Sequence, residues 1–452
     1  MKKHTGKKRK PLNASQMIAL VFAGIILLGT GLLCLPFSSR SGQCCGVRTA
    51  LFTATSATCV TGLILADTWT QWSGFGQAVI LCLIETGGLG FMSAASVVVF
   101  LLRKKINMNQ RLLMAQSLGA DDMGGAVRLQ RLMLRGCLLI EGAGAVLLML
   151  RFLPEYGFLT ALKLGVFHSV SAFCNAGFDI LGFRAPGSSM MLYGSDPAVC
   201  FTLAALITVG GLGFLVWDEV IRIRRPRRWS VYTKLVLWAT AGLLVGGTVL
   251  ICLTEWNNPA TLGSMTFGHK LTAAFFQSAT TRTAGFAGID QGALTDGGKA
   301  VTMFLMLIGG SSGSTAGGLK TVTFLVLLLF LWSKVRGKDN VSVLHRTVPE
   351  RHVLNALTVF GVMIALAFFG GAFLCATSPV SFTDALYEAV SAIATVGLTT
   401  GITSRLSIPA QLLMIVYMYF GRVGILTISL GFLQEKHAQK QYRYAETGLL
   451  IG

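Results

Sequence analysis

Charge is scarce in this chain: Asp, Glu, Lys and Arg together make up 13% of its 452 residues. A soluble domain of that length needs a more charged surface, so the composition argues against one. The ten cysteines show no metal-ligand spacing and define no disulfide framework, although Cys44 and Cys45 are adjacent. Most lie in apolar runs, as Cys34, Cys82, Cys137, Cys252 and Cys375 do, where a thiol serves as small apolar filler. The six histidines, at 4, 168, 269, 345, 352 and 437, avoid the middles of those runs. No HExxH, paired-carboxylate or Ser/His arrangement stands out, so an enzyme is not expected. A nucleotide-binding P-loop is missing too. Residues 313–321 come near it, but Leu319 separates Gly318 from Lys320 and no strand precedes the stretch.

What is present is apolar. Hydrophobic residues make up 53% of the chain and the mean hydropathy is +0.65. The 53 glycines suit a membrane bundle, where they allow helices to approach closely. Crossing a bilayer takes roughly 20 helical residues. Eight runs qualify: 17–36, 77–102, 134–153, 198–217, 234–254, 300–333, 353–375 and 406–434. The first follows a basic stretch, as a secretory signal does, but exceeds a signal's apolar core of ~7–15 residues and reads as a retained span.

The net charge of +19 is a topology signal rather than a nucleic-acid footprint. Most Lys and Arg fall in the N-terminal tail, at 103–135, 222–234 and 334–351, and in the C-terminal tail. With eight spans, all five clusters share one side. The positive-inside pattern makes that side, and both termini, cytoplasmic, with some attraction to anionic lipid.

Four similar words lie between paired spans on the opposite side: SATCVTGL (56–63), SAFCNAGF (171–178), SATTRTAGF (278–286) and SAIATVGL (391–398). From Ser to Gly the spacing is six, six, seven and six residues. A helix-compatible segment precedes each, at 47–57, 161–172, 269–280 and 383–393. A second word follows each: ETGGLGF (85–91), TVGGLGF (208–214), IGGSSGSTAGGL (308–319) and YFGRVGIL (419–426). A quadruplicated helix–loop–helix order is the strongest organisational signal.

The short segments, about 11 residues each, cannot span. Their free C-terminal carbonyls, and the extended backbone beyond, are tolerated at membrane depth only where protein or a water-filled cavity covers them. Four such loops around one axis give rings of carbonyl oxygens, with the negative ends of helix dipoles pointing inward, which favours a cation. Glycine permits the backbone angles that present those oxygens. Gly62, Gly177, Gly285 and Gly397 are therefore the first candidates. Any one of them alone reads equally well as a turn glycine; four in register do not.

At these residues the chain resembles the Trk/Ktr/HKT superfamily of cation transporters, and most closely its Ktr-type membrane subunit. The resemblance rests on VTGL at 60–63, NAGF at 175–178, RTAGF at 282–286, TVGLTTG at 395–401, GSTAGGLKT at 313–321 and GRVG at 421–424. It covers the chain from about residue 15 onward. It implies an all-α membrane fold of four tandem helix–pore loop–helix repeats around a pseudo-fourfold pore. The expected organisation is a basic tail at 1–14, repeats at 15–105, 128–225, 230–338 and 350–434, and a C-terminal tail at 435–452. The implied selectivity filter comprises Val60, Thr61 and Gly62, Asn175, Ala176 and Gly177, Thr283, Ala284 and Gly285, and Thr395, Val396 and Gly397. Potassium is the implied ion. A Ser at one filter Gly is associated with Na⁺ in plant-type relatives, and all four positions here are Gly.

The resemblance also assigns a gating loop just below the filter, formed by Gly309, Gly310, Ser311, Ser312, Gly313, Ser314, Thr315, Ala316, Gly317 and Gly318. Composition agrees that this is poor helix, since each Gly costs ~1 kcal/mol relative to Ala. Lys320 and Arg422 lie within apolar runs, where a charge needs a partner or a wet cavity. Lys320 is placed to snorkel or to sit by the gate, and Arg422 to act as a barrier or loop anchor. Glu85 and Glu141 are intramembrane acids without an assigned partner. Asp67, Asp179 and Asp290 follow three filters, as cation-concentrating or loop-capping residues. No covalent cofactor is implied; Na⁺ is a candidate activating ion. The implied partners are a second copy in a homodimer and a cytosolic ring of nucleotide-binding regulatory subunits. Two alternatives stay open: a Na⁺-permeable or Na⁺/H⁺-coupled transporter of the same fold, and an alternating-access carrier, against which parallel rather than inverted repeats argue.

Overall fold

Each repeat solves the same problem, how to return a chain to mid-membrane without orphaning its backbone. The structure, a computed structural model, describes residues 14–90, 123–338 and 340–424. Among these residues the regular structure is helical apart from one two-stranded hairpin, Ser342–Val343 with Arg346–Thr347. Parts of the runs 77–102 and 406–434, and both chain ends, lie outside the described residues.

The outer helix of the first repeat is Ala14–Leu33, and those of the third and fourth are Val231–Glu255 and Glu350–Thr377. The second begins Met123–Phe173, which contains both an outer and a short helix; the chain turns at Gly157 (φ 72, ψ 169), three residues after Pro154. These helices expose apolar residues outward. Trp238 is 80% exposed and Leu253 75%, the surface expected against lipid rather than water.

The short helices are Val47–Thr58, the stretch after Gly157, Phe267–Thr280 and Phe382–Ile393. Their C-terminal halves are buried, including small residues such as Ala57, Ala172, Ala279 and Ala392. The inner helices start at Gly74–Leu89, Pro197–Leu212, Asp296–Leu307 and Ile408–Val423. A side chain caps each N-terminus: Ser73, Asp196, Thr295 and Ser407 accept from backbone N–H groups of the first turn. The Lys299–Asp384 ion pair, at 2.8 Å, ties the third inner helix to the fourth short helix.

The inner helices correct one expectation. The sequence shows an interruption only in the third, yet all four of these helices end after 12 to 16 residues, short of the ~20 that a span needs. Gly90, Gly213 and Gly424 end the first, second and fourth with φ of 82°, 90° and 92°. With ψ of 126–148° these fall in or beside a backbone region that is essentially glycine's alone. At Gly213 the chain turns by 93° into Phe214–Arg222. The third inner helix stops at Leu307 and resumes as Thr321–Val335.

Candidate ion pathway

The filter loops are built locally from the end of each short helix. In the first, Ser56 carbonyl accepts from Thr61 N (2.8 Å) and its hydroxyl accepts from Gly62 N (3.0 Å). In the fourth, Ser391 does the same for Val396 N (2.8 Å) and Gly397 N (3.0 Å). In the second, Ser171 carbonyl accepts from Ala176 N (2.7 Å), while its hydroxyl donates to Phe178 O (2.7 Å). The repeated Ser is thus a clamp that folds the loop back over its own helix.

The third loop departs from the sequence alignment. Ser278 points away, donating to Leu244 O at 2.9 Å. Thr280 takes over, accepting from Ala284 N (3.0 Å) and donating to Phe286 O (2.8 Å). Thr280 stands five residues before Gly285, so the clamp of this loop is one residue shorter than the six-residue spacing of the others.

The backbone then repeats one conformation four times. Val60, Asn175, Thr283 and Thr395 have φ of 56°, 59°, 65° and 52°, unusual for residues with a Cβ, and β-branched residues above all. Two residues on, Gly62, Gly177, Gly285 and Gly397 are also at positive φ. Such alternation turns successive carbonyls toward one side of the chain.

The glycines form a closed ring. A Cβ on Gly62 would lie 2.5 Å from Ala176 O, and one on Gly177 would lie 2.7 Å from Ala284 O. One on Gly285 would lie 2.5 Å from Val396 O, and one on Gly397 would fall onto Thr61 O. Each repeat therefore meets the next in chain order, and the fourth meets the first. All four glycines also line one cavity of about 140 Å³ on the far side of the ring from the 309–318 loop. Asp179 and Asp290 face this mouth. They also accept from Leu181 N (3.1 Å) and Gly292 N (2.9 Å), so they brace the turns after the loops. Asp67 is a cap, accepting from Thr70 N (2.8 Å) and Gly187 N (3.0 Å).

Beneath the ring lies the 309–318 loop. Ser311 N and Thr315 N donate to Gly211 O (2.9 Å) and Gly210 O (3.3 Å) of the second inner helix. Thr315 hydroxyl donates to Phe173 O (3.1 Å) and accepts from Asn175 Nδ2 (3.3 Å). A Cβ on Gly317 would collide with Thr395 Oγ1. The loop thus touches the undersides of the second and fourth filter loops, and glycine is required for it to come so close.

Three cations surround this loop. Arg422 donates to Thr315 O, Gly87 O and, at 2.9 Å, Gly88 O. It thereby links the fourth and first inner helices to the loop. Lys320 does not reach outward; its ammonium donates to Ala316 O at 2.8 Å, within the loop itself. Arg282, missed in the sequence reading, is buried and lies 3.4 Å from both Gly309 O and Thr321 Oγ1. The signal was available, since Arg interrupts an otherwise small and neutral filter word. Glu85 and Glu141 sit close to each other and to Cys174, whose thiol donates to Glu85 Oε2 at 3.4 Å. Among the described residues they meet one another and Cys174 rather than a basic side chain. All ten cysteines are free.

The comparisons with known proteins agree with this architecture. The family model for TrkH, described as a cation transport protein, matches residues 3–443. The chain belongs to this family. It is 40% identical to the potassium/sodium uptake protein NtpJ of Enterococcus hirae, covering 100% of this chain and 99% of that protein. It is 39% identical to the Ktr system potassium uptake protein B of Vibrio alginolyticus (99% and 97% covered) and 37% identical to that of Bacillus subtilis (97% and 96%). The crystal structure of the potassium transporter TrkH from Vibrio parahaemolyticus superposes with a TM-score of 0.69 over 95% of this chain and 86% of that one. At 19% identity that match speaks to the fold. This TrkH-family member is therefore a multi-pass membrane protein of four helix–pore loop–helix repeats.

Proposed function

We propose that the chain is the ion-translocating subunit of a potassium uptake system of the Trk/Ktr type. The closed ring of Gly62, Gly177, Gly285 and Gly397 carries the reading, because it gathers backbone oxygens from four loops at one axis. The filter residues are Val60 to Gly62, Asn175 to Gly177, Thr283 to Gly285 and Thr395 to Gly397. Potassium sheds its water against their carbonyls. It enters from the mouth that Asp179 and Asp290 face, drawn inward by a membrane potential worth about 2.3 kcal/mol per charge per 100 mV.

The 309–318 loop is the gate. It crosses directly below two of the filter loops, and Arg422 holds it there. Arg282, Lys320 and Arg422 add positive charge below the filter, a barrier to a cation while the loop is seated. Opening requires that these bonds exchange for others, and we place control of that exchange in a separate protein. That partner is a cytosolic ring of nucleotide-binding subunits, acting on a homodimer of this chain with both termini cytoplasmic. The basic clusters at 222–234 and 334–351 support that orientation.

The NtpJ name keeps sodium in view, as permeant or activating ion. Growth rescue of a K⁺-uptake-deficient bacterium at low K⁺ tests the main reading. Rescue that persists when external Na⁺ is removed excludes Na⁺ as an obligatory activating ion, and ²²Na⁺ uptake into vesicles tests it as a permeant one. Failure to rescue by a chain shown to be in the membrane, with its nucleotide-binding partner co-expressed, overturns it.

A further inference from the structure

A second cavity, of about 400 Å³, lies away from the pathway. It is enclosed by the start of the third outer helix, the second half of the third inner helix, the hairpin, and the start of the fourth outer helix. Its walls are largely apolar, with Leu235, Val326 and Val359 among them. Arg346 and His352 line its rim, both exposed, and among the described residues no acidic side chain lines it. Arg346 belongs to the basic cluster at 334–351, at the ends of two predicted spans. An apolar slot with the Arg346 guanidinium and the His352 imidazole at its rim is complementary to an acyl chain ending in a phosphate.

We propose that this cavity binds an anionic phospholipid of the cytoplasmic leaflet, and that the bound lipid holds the 309–318 loop in its seated position. The second half of this inference rests on the gating role assigned above. Two contacts connect cavity and loop. Tyr232 lines the cavity, and its hydroxyl donates to Ser312 O in the loop at 3.2 Å. Val322 and Val326, also lining it, belong to the first turns of Thr321–Val335, the helix into which the loop runs. The occupant thus touches the loop's tether on one side and its exit on the other. A ligand favours the conformation it fits best, here the one with the Tyr232–Ser312 bond made. Lipid occupancy therefore lowers flux.

The test uses the full chain in detergent and in vesicles of phosphatidylcholine with or without phosphatidylglycerol. Native mass spectrometry should show phosphatidylglycerol retained in preference to phosphatidylcholine, and no retention of glycerol 3-phosphate. Arg346→Gln/His352→Gln should bind phosphatidylglycerol roughly five- to thirty-fold more weakly. Asn355→Trp, which fills the cavity from an exposed wall position, should lose the lipid without threatening the fold. In phosphatidylglycerol vesicles both variants should carry more Rb⁺ than the wild type; in phosphatidylcholine all three should match. Comparing variants within one vesicle type removes the general effect of surface charge on local cation concentration. Tyr232→Phe should keep the lipid yet lose its effect on flux. Equal lipid retention by wild type and both variants overturns the site, as does retention of glycerol 3-phosphate alone. Loss of lipid without a change in flux overturns the coupling. Deleting 311–316 separates this from the gating reading: the deletion should raise flux and abolish the lipid effect, and if flux rises on deletion while the intact chain and the two cavity variants carry equal flux in phosphatidylglycerol, the gate stands and the lipid inference falls. If flux does not rise, the gate falls, and lipid binding is judged by mass alone.

Discussion

Replacing Gly285 by Ser tests the ring where two neighbours crowd it. A Cβ there would lie 2.5 Å from Val396 O and 3.2 Å from the Cα atoms of Gly177 and Gly397. A carbon normally approaches a carbonyl oxygen no closer than about 3.3 Å, so Val396 O must retreat by roughly 0.8 Å. The φ of 80° adds its own cost, about 1–2 kcal/mol for a residue with a side chain. Relaxing the loop to relieve either strain withdraws an oxygen from the ion. A dipole contact to a charged group is worth about 1.5–3 kcal/mol, so losing one should lower K⁺ over Na⁺ preference roughly ten- to hundred-fold. The assay is Rb⁺ uptake into vesicles in competition with Na⁺, paired with growth rescue at low K⁺. Gly24→Ser is the control, because a Cβ there meets nothing within 4 Å. If Gly285→Ser reaches the membrane folded and discriminates as the wild type does, the glycine ring does not set selectivity and the reasoning fails.

Other outcomes follow from the same geometry. Arg422→Met removes a charged donor from Thr315 O, and losing about 1.5–3 kcal/mol from the seated loop should raise basal Rb⁺ flux at least ten-fold in vesicles lacking any partner protein. Deletion of 311–316 should raise it further, and unchanged flux would remove the loop from gating. Ser391→Ala leaves Gly397 N without its acceptor, costing about 1–3 kcal/mol, which thermal unfolding in detergent would register. In the third repeat the sensitive hydroxyl should be that of Thr280, so Thr280→Val should weaken K⁺ preference more than Ser278→Ala does, measured by the same competition.

Much of the repeat architecture is legible in the chain itself. Its causes are local: a half-span helix leaves free carbonyls, and a chain that bends back must do so through glycine, so each repeat writes the same short word. The positions of the short helices and the interruption at 309–318 could be read on that basis.

Tertiary structure alone decided the rest. Nothing in the spacing of the third word reveals that Thr280 rather than Ser278 clamps the loop, since both are hydroxyls and only the direction of the helix separates them. The stops at Gly90, Gly213 and Gly424 were hidden inside runs apolar enough to read as unbroken spans. Glu85 and Glu141, 56 positions apart, meet across two repeats. Arg422 finds Thr315 more than a hundred residues away, and the four glycines close their ring in chain order. Periodicity and local words report what a segment needs from its surroundings, whether apolar cover or a partner for its backbone. Which distant segment meets that need depends on packing the whole bundle at once.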